Sequence, residues 1–246
     1  VKALPTKGAE RTTVLGLTGG MAAGKTTVAR AFQRLGVPVF NADAVVRKLQ
    51  GRGGAAIPAL QQLRPSVISN GCVDRAALRA ELAKDPGLLK KLEAILHPLV
   101  RKERQLFLRQ CRARGVPLCV LDVPLLWESG AAASCDLVLV VEAALPTRLA
   151  RVKHRHLLGG RMTVALARQL MACQMSDEER RARADLILST EGRPAGVQRQ
   201  VRRLAWALRG GRSALRQDRD CSSRRRAPGR RTIMEELGAH DAHHTF

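Results

Sequence analysis

The sequence contains no tyrosine and only four phenylalanines and two tryptophans in 246 residues, so aliphatic side chains must fill its core. No apolar run approaches the ~20 residues that span a bilayer, which argues against a membrane partner. Residues 1–13 are polar and lack the apolar stretch of a secretion signal. The six cysteines (Cys72, Cys111, Cys119, Cys135, Cys173 and Cys221) form no C-x-x-C pair and no zinc spacing. Cys119 and Cys135 lie in or beside apolar stretches, where free cysteine acts as a small hydrophobe. A reduced, cytoplasmic location is expected. No Asn-Lys-x-Asp string is present to read guanine, which weighs against a GTPase, and there are no internal repeats.

Hydrophobic residues make up 45% of the chain, enough for one sizeable α/β domain. The formal net charge is +22. Residues 209–246 hold nine arginines and five acidic residues, so +18 remains on residues 1–208. The excess is therefore spread over the body of the chain. It suits polyanionic substrates, non-specific contact with nucleic acid, or simply an arginine- and alanine-rich composition.

The most informative string is Gly19-Gly20-Met21-Ala22-Ala23-Gly24-Lys25-Thr26. It fits G-x-x-x-x-G-K-[ST], follows the apolar run Val14-Leu15-Gly16-Leu17 and precedes a helical pattern. That strand–loop–helix setting makes the string a phosphate cradle. Its glycines let backbone N–H groups converge on an anion at the positive end of the following helix. Lys25 can reach the terminal phosphates, and the Thr26 hydroxyl can bind Mg²⁺. ATP or GTP is the expected ligand.

Five apolar segments read as strands: Val14–Thr18, Val37–Asn41, Leu118–Val123, Leu137–Val141 and Leu186–Leu188. Their unbroken apolar character fits a parallel sheet buried on both faces. The first helix is expected over Lys25–Leu35, ended by Gly36 and Pro38. Ala44 to Gly115 contains no clear strand. It reads as a helical excursion, with helices at Ala76–Ala83, Leu88–Leu96 and Leu99–Cys111 separated by Asp85-Pro86 and His97-Pro98. A second excursion, Pro146 to Ala184, is rich in arginine. Gly159-Gly160 breaks it into two helices, the second from about Thr163 to Cys173. Beyond Leu208 the chain reads as a disordered or weakly helical basic tail.

Several residues then become candidates. Asp43, at the end of the second strand, stands where ligands meet parallel strands and can accept a proton from an attacking hydroxyl. It can equally cap the helix Ala44–Leu49. Asp122, after four apolar residues, resembles the carboxylate that holds Mg²⁺-bound water. Arg151 and Arg155 lie one turn apart on one helix face and suit a transferring phosphoryl group, although a solvated arginine-rich surface helix has the same pattern. His97-Pro98 reads first as a turn. His240, His243 and His244 have no further ligand to make a metal site.

Together these fragments resemble the dephospho-CoA kinase family, from about Val14 to about Leu208. The resemblance rests on Leu17-Thr18-Gly19-Gly20…Gly24-Lys25-Thr26-Thr27, Asn41-Ala42-Asp43, Val73-Asp74-Arg75-Ala76-Ala77-Leu78 and Leu96-His97-Pro98-Leu99-Val100. It continues through Pro124-Leu125-Leu126-Trp127-Glu128, Arg151 with Arg155, and Gln174…Glu178-Glu179-Arg180…Ala184-Asp185. It implies an α/β P-loop kinase with a parallel five-stranded sheet flanked by helices. The kinase domain would cover residues 12–208, with a core of 12–43, 117–143 and 184–208. A helical acceptor-binding insert would occupy 44–116, a lid 144–183, and a basic tail 209–246.

The resemblance also implies the reaction, transfer of phosphate from ATP to the ribose 3′-hydroxyl of dephospho-CoA. Gly19, Gly20, Ala22, Ala23, Gly24, Lys25, Thr26 and Thr27 would hold ATP, and Thr26 and Asp122 the Mg²⁺. Lys25, Asp43 and Arg151 would be catalytic, while Asp43, His97, Pro124, Leu125 and Arg155 would bind the acceptor. Nucleic acid is not expected as a partner beyond non-specific contact through the tail. A kinase of another small nucleotide or metabolite is the alternative, and a nucleic-acid-binding protein on a residual nucleotide fold a more distant one. The chain departs from the family in having Asn41 where Asp is frequent, Ala22 and Ala23 where Gly and Ser are usual, and a longer loop at His156–Arg161. A Cβ at position 22 is strained if that position needs positive φ.

Overall fold

Residues 12–85, 87–157 and 162–209 are described by the computed structural model. In chain order the elements are β1 (Thr13–Gly19), α1 (Lys25–Arg34), β2 (Val39–Asn41), α2 (Ala42–Leu49), α3 (Ile57–Leu63), β3 (Ile68–Ser69), β4 (Cys72–Val73), α4 (Arg75–Lys84) and α5 (Leu88–Ala113). They continue with β5 (Leu118–Asp122), β6 (Leu137–Glu142), α6 (Leu145–Leu157), α7 (Val164–Ala172), α8 (Asp177–Arg183), β7 (Leu186–Ser189) and α9 (Pro194–Arg209). The described residues divide into two compact units. One runs to Val39 and resumes at Gly115; the other is Phe40–Arg114.

The five apolar segments form one sheet in the order β2-β5-β1-β6-β7. β1 pairs in parallel with β5 (Leu15 opposite Val120) and with β6 (Leu17 opposite Leu139), and β6 pairs with β7 (Val140 opposite Ile187). Residues of both strand faces are buried, as expected for a sheet covered by helices on both sides. Leu15, Leu17, Leu139 and Val141 pack with Phe32 of α1 and with Val201 and Leu204 of α9. Phe32 is fully buried, and its truncation to alanine would cost about 3–5 kcal/mol. Gly19 closes β1 where no side chain fits, since a Cβ would lie 2.4 Å from the Val141 carbonyl oxygen.

The second unit is held by a separate aliphatic cluster of Leu49, Ala56, Leu60, Leu88 and Leu92. Two expectations fail here. His97-Pro98 does not separate two helices: α5 runs unbroken from Leu88 to Ala113 with Pro98 inside it. Proline removes one intrahelical donor. Leu92, Ile95, Leu96, Leu99 and Val100, on both sides of it, still pack against the same cluster, and that packing outweighs the lost bond. Nor is the region without strands. β3 and β4 pair as an antiparallel hairpin whose turn residues, Asn70 (φ 49°) and Gly71 (φ 73°), are both left-handed. Asn-Gly is the dipeptide this turn favours.

In the arginine-rich excursion the break at Gly159-Gly160 lies outside the described residues. α7 is capped by the Thr163 side chain, and a further helix, α8, follows. Ser176 and Glu179 form a reciprocal capping box at its start. The tail beyond Arg209 lies outside the described residues. Among the described residues no helix is long and apolar enough to cross a membrane, and none of the five cysteines forms a disulfide.

Candidate active site

The turn after β1 is built as the sequence predicts. Ala23 N–H bonds to the Gly20 carbonyl (3.1 Å), and Gly24, at φ 100°, leads into α1 as its N-cap. The first N–H groups of α1 have no helical acceptor, so the end of the helix presents donors and positive potential to an anion. Ala22 stands at φ 59°, in the left-handed region. An L-residue there costs about 1 kcal/mol, and this confirms the strain expected from alanine at this position.

Lys25 Nζ donates to Asp122 Oδ1 at 2.5 Å, and Asp122 is only 1% exposed. β5 thus carries its terminal carboxylate into the loop, where it fixes the direction of the lysine and is neutralised by it. Thr18, equally buried, donates its hydroxyl to the Pro124 carbonyl (2.9 Å) and ties the segment after β5 to the end of β1. Leu125 beside it is 53% exposed.

The helices after β6 surround the shoulder of the loop. Arg148 of α6 and Arg180 of α8 share the Asp177 carboxylate, at 2.5 and 2.8 Å. A Cβ built on Gly20 would stand 2.6 Å from the Arg148 guanidinium and 3.1 Å from that of Arg180. Glycine is therefore what allows two buried cations to lie against the loop. Gln174 accepts a hydrogen bond from Met21 N–H (3.1 Å) through the same Oε1 that faces Arg180. Arg181 Nε donates to Glu142 at the end of β6 (2.7 Å). That bond, reinforced by the carboxylate's charge, raises the arginine's pKa further.

Arg151 takes the inner flank. It donates to the Ala22 carbonyl (3.1 Å), the Thr190 hydroxyl (2.9 Å) and the Thr190 carbonyl (2.7 Å). Arg155, one turn further along α6, is exposed. Glycines 19, 20 and 24 and residues Ala22, Ala23, Lys25, Thr26 and Thr27 form one continuous turn into α1, with the Thr26 and Thr27 side chains facing solvent.

The remaining candidates belong to the second unit. Asp43 is an exposed residue in the first turn of α2. It is not the cap: Asn41 is, accepting from Ala44 N–H at 2.7 Å, so the helix begins two residues earlier than expected. The asparagine that departs from the family pattern thus has a local role of its own. His97 is exposed on the α5 helix rather than in a turn.

Sequence reasoning did not single out Arg148, Asp177 or Thr190. Arg148 and Arg180 were two among many arginines, and only Gln174 and Arg180 fell within a quoted family string. Nothing local marks Thr190, a single threonine after β7.

The family model described as dephospho-CoA kinase matches residues 13–195. The chain belongs to the dephospho-CoA kinase family. A dephospho-CoA kinase from Gluconobacter oxydans is 54% identical over 196 residues, covering 80% of this chain and 98% of that one. One from a Jannaschia species is 44% identical over 177 residues, covering 72% and 88%. Among solved structures, TT1252 from Thermus thermophilus superposes with a TM-score of 0.67 at 31% identity, over 81% of this chain and 99% of that one. A dephospho-CoA kinase from Campylobacter jejuni shares the fold, with a TM-score of 0.62 at 20% identity over 82% of this chain and all of the other. In this family member the formed loop, Lys25 on Asp122 and the arginines around them lie together at one end of the sheet.

Proposed function

We propose that this family member is a cytoplasmic enzyme transferring the γ-phosphoryl group of ATP to the ribose 3′-hydroxyl of dephospho-CoA. The observation that carries the reading is the formed phosphate loop, with Lys25 directed by the buried Asp122, in a chain of this family. Ala22 to Thr27 hold the ATP phosphates through backbone N–H groups and the end of α1. Lys25 neutralises charge on the transferring group, and Arg151, Arg148 and Arg180 add cationic charge around the loop. Asp43 accepts the proton of the 3′-hydroxyl as that oxygen attacks phosphorus; the bond from phosphorus to the bridging oxygen of ADP breaks. His97, Pro124, Leu125 and Arg155 contribute to acceptor binding.

Mg²⁺ would be held by Thr26 and Asp122. The described residues contain no cluster of three acidic, histidine or cysteine ligands. The fit is that of a Mg²⁺ bound by one hydroxyl, one carboxylate, water and the phosphates themselves. Bound there, the ion would supply neutralisation of the phosphates' negative charge.

The test is ADP release by the purified chain with MgATP and a panel of nucleoside, nucleotide and pantetheine-bearing acceptors. ADP should form with dephospho-CoA, and phosphorus NMR should place the new monoester at the 3′ position. Equal turnover with unrelated acceptors, or a phosphate elsewhere on the acceptor, would remove the reading.

A further inference from the structure

Ala22 presents a problem that the chain has to solve. Left-handed backbone suits glycine, and alanine at position 22 favours leaving it. Yet the loop's N–H groups converge on one anion only while that conformation holds. Its two carbonyl oxygens are tied from outside the loop. Thr190, 3% exposed at the end of β7, donates its hydroxyl to the Ala23 carbonyl at 2.5 Å. The same hydroxyl accepts from Arg151 Nη1, which also donates to the Ala22 carbonyl. Arg151 Nη2 closes the bridge on the Thr190 carbonyl. Space is matched as well: a Cβ on Gly24 would lie 2.9 Å from the Thr190 hydroxyl, so the glycine lets the threonine sit directly against the turn.

We propose that Thr190 is a positioning residue for ATP, which acts with the Arg151 fork through the Ala22 and Ala23 carbonyls to hold Ala22 in the left-handed conformation that alanine alone would abandon. Thr190 need touch no phosphate. The planar fork of Arg151, with two nitrogens on three oxygens, cannot be replaced by a point charge. The proposal rests on this loop being the ATP site.

The experiment measures MgATP affinity by calorimetric titration without acceptor, together with KM for ATP, KM for dephospho-CoA and melting temperature. Thr190→Val keeps the shape and removes the hydroxyl. It should weaken MgATP about tenfold, in Kd and KM alike, with KM for dephospho-CoA within about twofold. Thr190→Ser keeps the donor and should recover most of the affinity. In an Ala22→Gly background the valine effect should shrink to about threefold, because glycine occupies the left-handed region without help. Arg151→Lys, which keeps the charge and loses the fork, should weaken MgATP about fivefold, and it tests the clamp even if Thr190→Val does not fold. Unchanged ATP affinity in Thr190→Val or Arg151→Lys would overturn the proposal. So would serine behaving like valine, or a valine effect of equal size with Ala22 and Gly at that position. Failure of the wild-type chain to bind MgATP would instead count against the loop as the ATP site.

Discussion

The end of the sheet that carries the phosphate loop and the helical unit Phe40–Arg114 solve different problems. In the first, charge is paired at or near the interior, Lys25 on Asp122 and Arg148 and Arg180 on Asp177, while half-buried Arg151 bonds Thr190 and the Ala22 carbonyl. In the second, the interior is aliphatic, built on Leu49, Leu60, Leu88 and Leu92, and the two candidate polar residues, Asp43 and His97, face solvent. A site for a compact polyanion is made of charges held fixed against each other. In the second unit Asp43, the carboxylate proposed to take part in the reaction, stands on an exposed surface instead. On this contrast, substitutions in the first unit should alter stability and nucleotide affinity together. Asp43 should affect turnover alone.

The largest effect is expected at Lys25. Lys25→Ala removes the cation proposed to neutralise the transferring phosphoryl group, and turnover should fall about a thousandfold. It also takes a cation from a carboxylate that is only 1% exposed, and should cost roughly 3 kcal/mol of stability. Steady-state kinetics and thermal melting measure both. Lost activity at an unchanged melting temperature would show that the pair is less deeply coupled than its burial implies.

Asp43→Asn is the opposite case. Removing the proposed proton acceptor should depress turnover about a hundredfold and leave the melting temperature unchanged, because the side chain is exposed and Asn41 supplies the cap. Turnover near the wild-type rate would withdraw Asp43 from the reaction and leave the acceptor hydroxyl to be aligned by position only.

The same division explains what could be read from the sequence. Apolar runs with no polar alternation foretold the five sheet strands, since burial on both faces writes itself into every residue. The phosphate loop was legible because its geometry demands glycine at fixed spacing, and the Asp122 partner because it ends a strand. The α5 helix was misread since proline is a local signal, whereas Leu92, Leu96 and Leu99 hold the helix through packing that no window reveals. The β3–β4 hairpin had its mark in Asn70-Gly71, overlooked because its strands are two residues each. Likewise Ser176-x-x-Glu179 announced α8. Thr190 had no mark: its role depends on Ala23, 167 residues away in sequence, a relation that only the fold creates.

Ala22→Gly is expected to act modestly and in the stabilising direction. Relief of the left-handed strain should contribute about 0.5–1 kcal/mol, or a rise of about 2–3 °C in melting temperature for a chain of this size. A fall in melting temperature would mean that the alanine methyl makes packing contacts worth more than the strain. It would move the loop closer to the second unit's mode of construction, by apolar contact.

The smallest effect belongs to an exposed contact near the loop, and its sign separates surface electrostatics from the buried pairs. Glu191 accepts from Ala144 N–H (2.6 Å) and from the Thr147 hydroxyl (2.9 Å), at the start of α6. The backbone bond first, then the hydroxyl and the Arg151 charge, hold its pKa below the ordinary carboxylate value of 4.5. A carboxyl whose pKa is lower folded than unfolded binds fewer protons when folded. Its stabilisation is therefore complete above the unfolded value and is lost as pH falls through the folded one. Glu191→Gln keeps an acceptor but gives up the charge, so the variant should melt slightly below the wild type at neutral pH. The gap should narrow below pH 4.5 and close in stronger acid. Melting curves across that range decide it, and a gap that did not narrow on acidification would mean that the charge on Glu191 contributes nothing to tying the start of α6 to the segment after β7.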